Sequence, residues 1–197
     1  AYAALKRAFD LVFACVGLLL AAPIMAGVAV AILWDSGLPI LFRQRRCGKD
    51  GRTFVMLKFR SMRADAEQLR QTLKNEVDGP VFKIANDPRF SRVGRILRKY
   101  SLDELPQLWN VLRGDMSFVG PRPGVPAHRS LYTQAQWDGR HTVLPGITGL
   151  AQATVRSRGT LEETIALDLE YVEKASLLFD LRLLLLTVGQ VMRNSGN

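Results

Sequence analysis

Residues 11–34 read LVFACVGLLLAAPIMAGVAVAILW and contain no charged side chain, and Asp10 and Asp35 bound the segment on either side. As one straight helix the segment would be about 36 Å long, which exceeds the roughly 30 Å hydrocarbon core of a bilayer. It is too long for the apolar part of a signal peptide and lacks a clear cleavage site. A run of 24 uncharged residues also disfavours a helix buried in a soluble core. The segment is therefore predicted to enter a membrane.

The shape of this membrane segment depends on Pro23, which lies at its middle. Proline removes a backbone donor and clashes with the preceding turn, so a kink is expected there. Both flanks are basic, with cations at Lys6 and Arg7 and again at Arg43, Arg45, Arg46 and Lys49. A spanning helix would place one basic flank on the disfavoured side of the membrane. A re-entrant helix–break–helix over residues 1–38 is therefore favoured over a spanning helix, because it keeps both flanks on the cytoplasmic face.

The remaining residues, 39–197, are predicted to form one cytoplasmic-face domain of the α+β class that is mostly α-helical. Residues 39–59 have the pattern of a small β-hairpin, with strand-like segments at 39–45 and 53–59 around a glycine-containing turn. A polar helix follows at 64–75, with turns at 78–80 and 86–88. Near the C-terminus, residues 177–188 are apolar but carry Asp180 and Arg182. They predict an amphipathic helix at the membrane interface, with a core helix as the alternative.

Composition narrows the class of partner. The chain has 197 residues, a net charge of +9 and a pI near 10.1, so an anionic partner is expected: a phosphorylated substrate, a lipid surface or nucleic acid. Two cysteines give no disulfide framework, and His128 and His141 are too few for a zinc site. No helix-turn-helix, zinc-finger or RNA-recognition motif is present, so nucleic acid is not expected. The chain begins at Ala1 rather than methionine, as expected of a processed protein or of a domain from a longer one.

The most informative polar stretch is residues 101–110, SLDELPQLWN, which contains adjacent carboxylates at Asp103 and Glu104. Such a pair can divide two tasks of phosphoryl chemistry, because one carboxylate can attack or accept a proton while the other binds a divalent metal. Ser101 and Glu104 also match a capping box, which would place the pair at a helix N-terminus that favours negative charge. The alternative is that these acids only cap a helix.

Basic residues surround this acidic pair in the sequence. Arg98 lies five residues before Asp103, on a predicted helical face with Arg92 and Arg95, and could hold a phosphate against the carboxylates. Downstream, prolines on both sides of Arg122 favour a fixed direction for its guanidinium, which suggests phosphate binding. Eight Lys and Arg residues between positions 43 and 63 are mostly predicted to be a solvated face beside anionic lipid. A further turn-rich segment at 145–152 could hold a nucleotide.

Three motifs in this order resemble the bacterial monotopic phosphoglycosyl transferases: KFRSM at 58–62, SLDELPQLWNVLRGDMSFVGPRP at 101–123 and PGITGLAQ at 145–152. The resemblance extends to the Leu-Asp-Leu stretch at 167–169 and the C-terminal helix. Residues 78–83 look most like the catalytic domain of the larger members. The resemblance implies transfer of a sugar 1-phosphate from a UDP-sugar to undecaprenyl phosphate, with Mg²⁺ and release of UMP. It also implies a place on the cytoplasmic face of the bacterial inner membrane, with Pro23 as the proline of the membrane hairpin.

The resemblance also assigns roles within the site. It implies that Asp103 is the nucleophile, which forms an aspartyl-phosphosugar intermediate, and that Glu104 is the metal ligand. Arg98 and Arg122 correspond to phosphate-binding residues, and Lys58 is a weaker candidate for the same role.

The chain departs from the family pattern at three places: Ala22 replaces a common serine, Leu150 and Ala151 follow PGITG where a tryptophan is common, and residues 155–159 differ from the usual Gly-Arg-rich form. The identity of the sugar, the polyprenol length and the formation of a homodimer are left open. A membrane-anchored basic adaptor without catalysis is the rival interpretation.

Overall fold

In the computed structural model, which describes residues 2–73, 84, 87–155 and 159–192, the chain forms eight α-helices and four short β-strands. The helices are α1 (Tyr2–Ser36), α2 (Ala66–Thr72), α3 (Arg92–Lys99), α4 (Gln107–Arg113), α5 (Gln134–Arg140), α6 (Leu150–Thr154), α7 (Leu161–Lys174) and α8 (Leu177–Met192). The strands are β1 (Leu41–Cys47), β2 (Thr53–Phe59), β3 (Ser117–Val119) and β4 (Gly146–Thr148). The predicted α+β, mostly helical class is confirmed.

Helix α1 continues through Pro23 without an interruption, so the predicted helix–break–helix is not observed. It is long and apolar enough to cross a membrane, and no other helix in the described part of the chain meets that criterion. Proline removes only one helical hydrogen bond. The helix is supported on both sides of Pro23 because one stripe of its surface packs against the rest of the protein. That stripe consists of Asp10, Ala14, Ala21, Val28 and Ile32.

Polar and charged side chains near the N-terminal end of α1 form hydrogen bonds with α4 and α8. Lys6 Nζ and the Tyr2 hydroxyl both donate to the Asp180 carboxylate of α8, at 2.6 and 2.9 Å. Arg7 donates to the carbonyls of Val111 and Leu112, which lie near the C-terminus of α4. Charged groups near this end are therefore paired with the same domain that carries the hairpin.

The C-terminal end of α1 is attached to that domain as well. The buried Arg60 guanidinium donates to the carbonyls of Ser36, Gly37 and Leu38 at 2.6 to 2.7 Å. Carbonyls at a helix C-terminus lack partners within the helix, and a cation there also opposes the helix dipole favourably. Both ends of the apolar helix are thus bound to one domain.

The predicted β-hairpin is present. Strands β1 and β2 are antiparallel, with Leu41 opposite Phe59 and Cys47 opposite Thr53. The Asn110 side chain of α4 accepts from the Leu57 N–H at 3.0 Å and donates to the Val55 carbonyl at 2.8 Å. Asn110 therefore fixes α4 against the edge of β2.

Glycines bring two other loops into direct contact. Strands β3 and β4 are parallel, and a Cβ atom at Gly120 would lie 2.3 Å from the Leu144 carbonyl oxygen. Cβ atoms at Gly146 and Gly149 would lie 2.1 and 2.2 Å from backbone atoms of Gly120. Since real Cβ contacts are never this short, the crossing requires glycine at each position. The segment at 145–152 thereby supports the backbone just before Arg122.

The C-terminal amphipathic helix is confirmed as α8, which has two different faces. Asp180 and Leu183 are buried, and Asp180 accepts a hydrogen bond from the Tyr171 hydroxyl at 2.7 Å. The opposite face exposes Leu178, Leu181, Leu185 and Leu186. One face of α8 therefore belongs to the core, and the exposed apolar face leaves its place at a membrane interface as a prediction.

Two other predicted segments have partial outcomes. The polar helix expected at 64–75 is observed as α2. The turn at 78–80 and the family-like segment at 78–83 lie outside the described residues. In the turn predicted at 86–88, Asp87 is described, and its carboxylate accepts from the Arg89 guanidinium.

Candidate active site

The acidic pair lies in a 3₁₀ turn, Leu102–Glu104, between α3 and α4. The predicted capping box is wrong, because the Ser101 side chain makes no cap hydrogen bond. A capping serine has an extended backbone, whereas Ser101 is left-handed, with φ of 56°, and its N–H donates to the Arg98 carbonyl. Ser101 therefore ends α3 instead of starting α4.

Glu104 is held by two cations from distant segments. Its Oε1 atom accepts from Lys58 Nζ at 2.6 Å and from Arg122 Nη2 at 3.2 Å. The side chains of Glu104 and Lys58 are 20% and 16% exposed, so this pair is largely shielded from water, while Arg122 is 48% exposed. Burial opposes ionisation, but the charges and hydrogen bonds of Arg122 and Lys58 lower the pKa of Glu104 to about 2. Glu104 is therefore ionised at every physiological pH.

Asp103 has a different environment. It is 9% exposed, and its carboxylate makes no hydrogen bond within the described part of the chain. Burial raises the pKa of Asp103, and the charge of Glu104 adds to this rise. The charges of Lys58, Arg98 and Arg122 oppose the rise. Two neighbouring carboxylates whose pKa values are moved in opposite directions are suited to different chemical roles.

Arg98 lies near the pair without touching it. Its guanidinium stacks over the Phe90 ring, 4.3 Å from the centroid, and its side chain is exposed at the end of α3. The effect of its charge on the pKa of Asp103 shows that it is within electrostatic range. Arg92 and Arg95 are exposed, and Arg95 donates to the Phe90 carbonyl instead of the acidic pair.

The loop that carries Arg122 rests on a buried ion pair that the sequence did not reveal. Arg140 Nη2 donates to the Arg122 carbonyl at 2.9 Å and to Asp168 Oδ2 at 2.6 Å. The side chains of Arg140 and Asp168 are 4% and 1% exposed. Arg140 and Asp168 are 28 residues apart, so no local pattern links them. The pair fixes the backbone from which the Arg122 guanidinium projects.

Arg46 is another cation that sequence analysis did not place in the site. It was grouped with a solvated basic face, but its side chain is partly buried and its Nη1 donates to the Pro123 carbonyl at 3.0 Å. Burial and the charge of Arg122 lower the pKa of Arg46 to about 10, against the opposing effect of Glu104. The alternation of side chains along β1 could have separated Arg46 from the exposed basic residues. Residues 44 and 46 share one face of the strand, while 43 and 45 share the other.

The site carries an excess of positive charge. Among the residues that the structure describes, two carboxylates are within electrostatic range of four cations, Lys58, Arg98, Arg122 and Arg46, which leaves two positive charges uncompensated. An anion with two negative charges would balance the site.

The site offers few ligands for a metal. Within the described residues, no group of three or more His, Cys, Asp and Glu side chains could hold an ion. Glu104 remains ionised, and both of its hydrogen bonds go to Oε1, so Oε2 can accept a cation. Mg²⁺ commonly binds through one or two carboxylates plus substrate phosphates, so the residues present fit Mg²⁺ that is shared with a phosphorylated substrate.

Comparison with known proteins gives a consistent result. The family model described as "Bacterial sugar transferase" matches residues 1–194. The chain is 41% identical over 194 residues to the galactosyl transferase CpsE of Streptococcus agalactiae, an alignment that covers 97% of this chain and 43% of that protein. It is 42% identical over 191 residues to the UDP-glucose:undecaprenyl-phosphate glucose-1-phosphate transferase of Escherichia coli, covering 93% of this chain and 39% of that protein. It is 41% identical over 209 residues to the exopolysaccharide production protein PSS of Rhizobium leguminosarum, covering 98% of each. The chain therefore spans about two fifths of the first two relatives.

The buried ion pair beneath Arg122 gives a testable prediction. Asp168→Asn leaves the Arg140 charge buried without a counter-charge, which is expected to lower the free energy of unfolding by about 3–5 kcal/mol. Glu170→Gln is the matched control, because Glu170 lies on the same helix and its ion pair with Lys174 is exposed. That control is expected to change stability by less than about 1 kcal/mol. Denaturant unfolding of both variants in the same detergent provides the measurement, and equal losses in the two variants would contradict the assignment.

Proposed function

Because this chain belongs to the bacterial sugar transferase family, we propose that it transfers a sugar 1-phosphate from a UDP-sugar to undecaprenyl phosphate and releases UMP. The observation that carries the proposal is the acidic pair of Asp103 and Glu104 within a cluster of cations. The name of the Escherichia coli relative includes both a UDP-sugar and undecaprenyl phosphate. The transfer would be the first membrane step of glycoconjugate or exopolysaccharide synthesis.

The positive excess of the site supports binding of the donor. The diphosphate of a UDP-sugar carries two negative charges, so the positive excess around the carboxylates would attract it. Arg122 is exposed enough to meet the ligand while its carbonyl stays bound to Arg140. Guanidinium groups bind phosphate oxygens through paired hydrogen bonds, and they stabilise the charge that develops during phosphoryl transfer.

In the proposed first step, an oxygen of Asp103 attacks the phosphorus that bears the sugar. The bond between that phosphorus and the bridging oxygen breaks, and UMP departs with the electron pair. Asp103 suits the role because its carboxylate is buried and, among the described residues, has no hydrogen bond that would have to break before attack. Burial raises the pKa of Asp103, and the charges of Lys58, Arg98 and Arg122 act against this rise and favour the ionised form that attacks.

In the proposed second step, a phosphate oxygen of undecaprenyl phosphate attacks the same phosphorus. The bond to Asp103 breaks, and the free carboxylate is restored. A covalent intermediate lets two bulky anionic substrates use one site in turn. Lys58 and Arg122 would balance the negative charge in both steps.

Glu104 is the residue that would hold Mg²⁺. When bound there, Mg²⁺ would neutralise charge on the diphosphate and on the departing UMP. Lys58 and Arg122 orient Glu104 through Oε1, which leaves Oε2 directed elsewhere.

We propose a monotopic position on the cytoplasmic face of the bacterial inner membrane, and the arrangement of α1 supports the monotopic part of this proposal. A helix of this length is about 52 Å long and, if it crossed the bilayer, would carry its ends to opposite sides. Both ends instead contact the same domain, through Lys6 with Asp180 and through Arg60 with the carbonyl of Ser36. Exposed apolar residues on α1 and α8 supply the surface that would meet lipid.

The reaction itself is tested by Asp103→Asn. We expect UMP release from UDP-glucose or UDP-galactose, with undecaprenyl phosphate and Mg²⁺, to fall by about a thousandfold or more, since an amide cannot replace the nucleophile. Asp50→Asn is the control, because Asp50 is exposed in the hairpin turn and its left-handed backbone tolerates asparagine. UMP release that persists in Asp103→Asn would contradict the mechanism. Inactivity of the well-folded wild type with all UDP-sugars would favour the basic adaptor.

The dependence of kcat/KM on pH, on its acidic side (the acidic limb), gives a second test. Because only ionised Asp103 can attack, kcat/KM should fall as pH drops through the raised pKa of Asp103, above the usual value of about 4. Arg98→Gln removes a charge that lowers this pKa, so the limb should move to higher pH. Arg95→Gln is the control, since Arg95 is exposed on the same helix and faces the Phe90 carbonyl. An acidic limb that does not move in Arg98→Gln would contradict the role of Asp103.

A further inference from the structure

Arg46 has hydrogen bonds only to neutral groups within the described part of the chain. Its Nε and Nη2 atoms donate to Gln44 Oε1 at 3.1 and 2.7 Å, and its Nη1 atom donates to the Pro123 carbonyl at 3.0 Å. A guanidinium has five N–H groups, so one on Nη1 and one on Nη2 remain uncommitted. These contacts orient the guanidinium without neutralising its charge.

The surroundings of Arg46 favour an anion. Arg46 contacts the carbonyl of Pro123, the residue that directly follows Arg122. The Arg46 guanidinium is therefore bound to the same loop that carries Arg122. Burial and the charge of Arg122 lower the pKa of Arg46 to about 10. The charge of Glu104 opposes this lowering of the pKa of Arg46, but Glu104 Oε1 already accepts hydrogen bonds from Lys58 and Arg122. The guanidinium groups of Arg46 and Arg122 therefore repel each other, and a bound anion would relieve that repulsion.

We propose that Arg46 is a donor-binding residue, whose two uncommitted N–H groups bind the diphosphate of the UDP-sugar beside Arg122. This inference rests on the proposed function. Lys58 and Arg122 surround the carboxylates and would meet the phosphoryl group that reacts. The second phosphoryl group of the donor, which leaves with UMP, also carries a negative charge, and Arg46 would contact it in addition to Mg²⁺. The acceptor carries a single phosphate and would not need Arg46.

The main alternative is that Arg46 acts only as a brace for the Arg122 loop through the Pro123 carbonyl. A double-mutant cycle separates these roles, because a residue that acts solely through Arg122 has no further effect once Arg122 is removed. A residue that contacts the ligand itself still weakens binding in that background.

The test is calorimetric binding of UDP with Mg²⁺ to the full chain in detergent. Arg46→Gln should weaken UDP binding about tenfold, as expected for the loss of one charge-assisted bidentate contact. Arg45→Gln is the matched control, because it removes the same charge from the adjacent position on the opposite, exposed face of β1. UDP affinity of the control should stay within about twofold of wild type. In the Arg122→Gln background, Arg46→Gln should weaken binding further, and the KM for undecaprenyl phosphate should not change.

Several results would overturn the inference. They are unchanged UDP affinity in Arg46→Gln, no additional loss in the double variant, or a change confined to the KM of the lipid acceptor. Should Arg46→Gln fail to fold, Arg46→Lys provides the same test, because it keeps the charge but loses the forked donors, and it should weaken binding about threefold. Wild-type protein that does not bind UDP would instead contradict the proposed function, and the inference would fall with it.

Discussion

Lys58 and Arg122 share one oxygen of Glu104, and this contact joins three segments that lie far apart in the sequence. Lys58 comes from the hairpin, 46 residues before Glu104, and Arg122 comes from the proline-flanked loop, 18 residues after it. Both cations contact Glu104, whereas Asp103 is buried without a hydrogen bond to any part of the chain that the structure describes. The pKa values of the two adjacent carboxylates are therefore shifted in opposite directions, which suits them to the two proposed roles of metal binding by Glu104 and attack on phosphorus by Asp103.

The contact depends on supports beneath it. Gly120, Gly146 and Gly149 let two loops cross at distances that exclude a side chain, and the Arg140–Asp168 pair holds the Arg122 carbonyl from below. On the other side, Asn110 fixes α4 to the edge of β2. The candidate site is thus positioned by buried contacts, while the Arg122 guanidinium stays about half exposed. Such preorganisation lowers the cost of orienting charged groups during catalysis.

Sequence reasoning was sufficient where the signal was local or was carried by a long motif. The hairpin and α8 were predicted in this way. Of the predicted site residues, the structure brings Lys58 and Arg122 into contact with Glu104, while Arg98 lies nearby without contact and Pro23 lies within α1. Sequence reasoning was insufficient where contacts between residues that are distant in the sequence determine the local structure. Ser101 matches a capping box, yet it ends α3 because its N–H bonds to the preceding helix. Helix α1 continues through Pro23 because packing supports both halves. Arg46, Arg140 and Asp168 depend on partners that no spacing rule identifies.

We have proposed that Asp103 carries the phosphosugar between the two substrates. Intact-protein and peptide mass spectrometry tests this step after incubation with UDP-glucose or UDP-galactose and Mg²⁺ in the absence of undecaprenyl phosphate. We expect an adduct of one hexose phosphate on the peptide that contains Asp103, which disappears when undecaprenyl phosphate is added. UMP release that occurs only when both substrates are present, with no adduct on this peptide, would indicate direct transfer and contradict a covalent intermediate on Asp103.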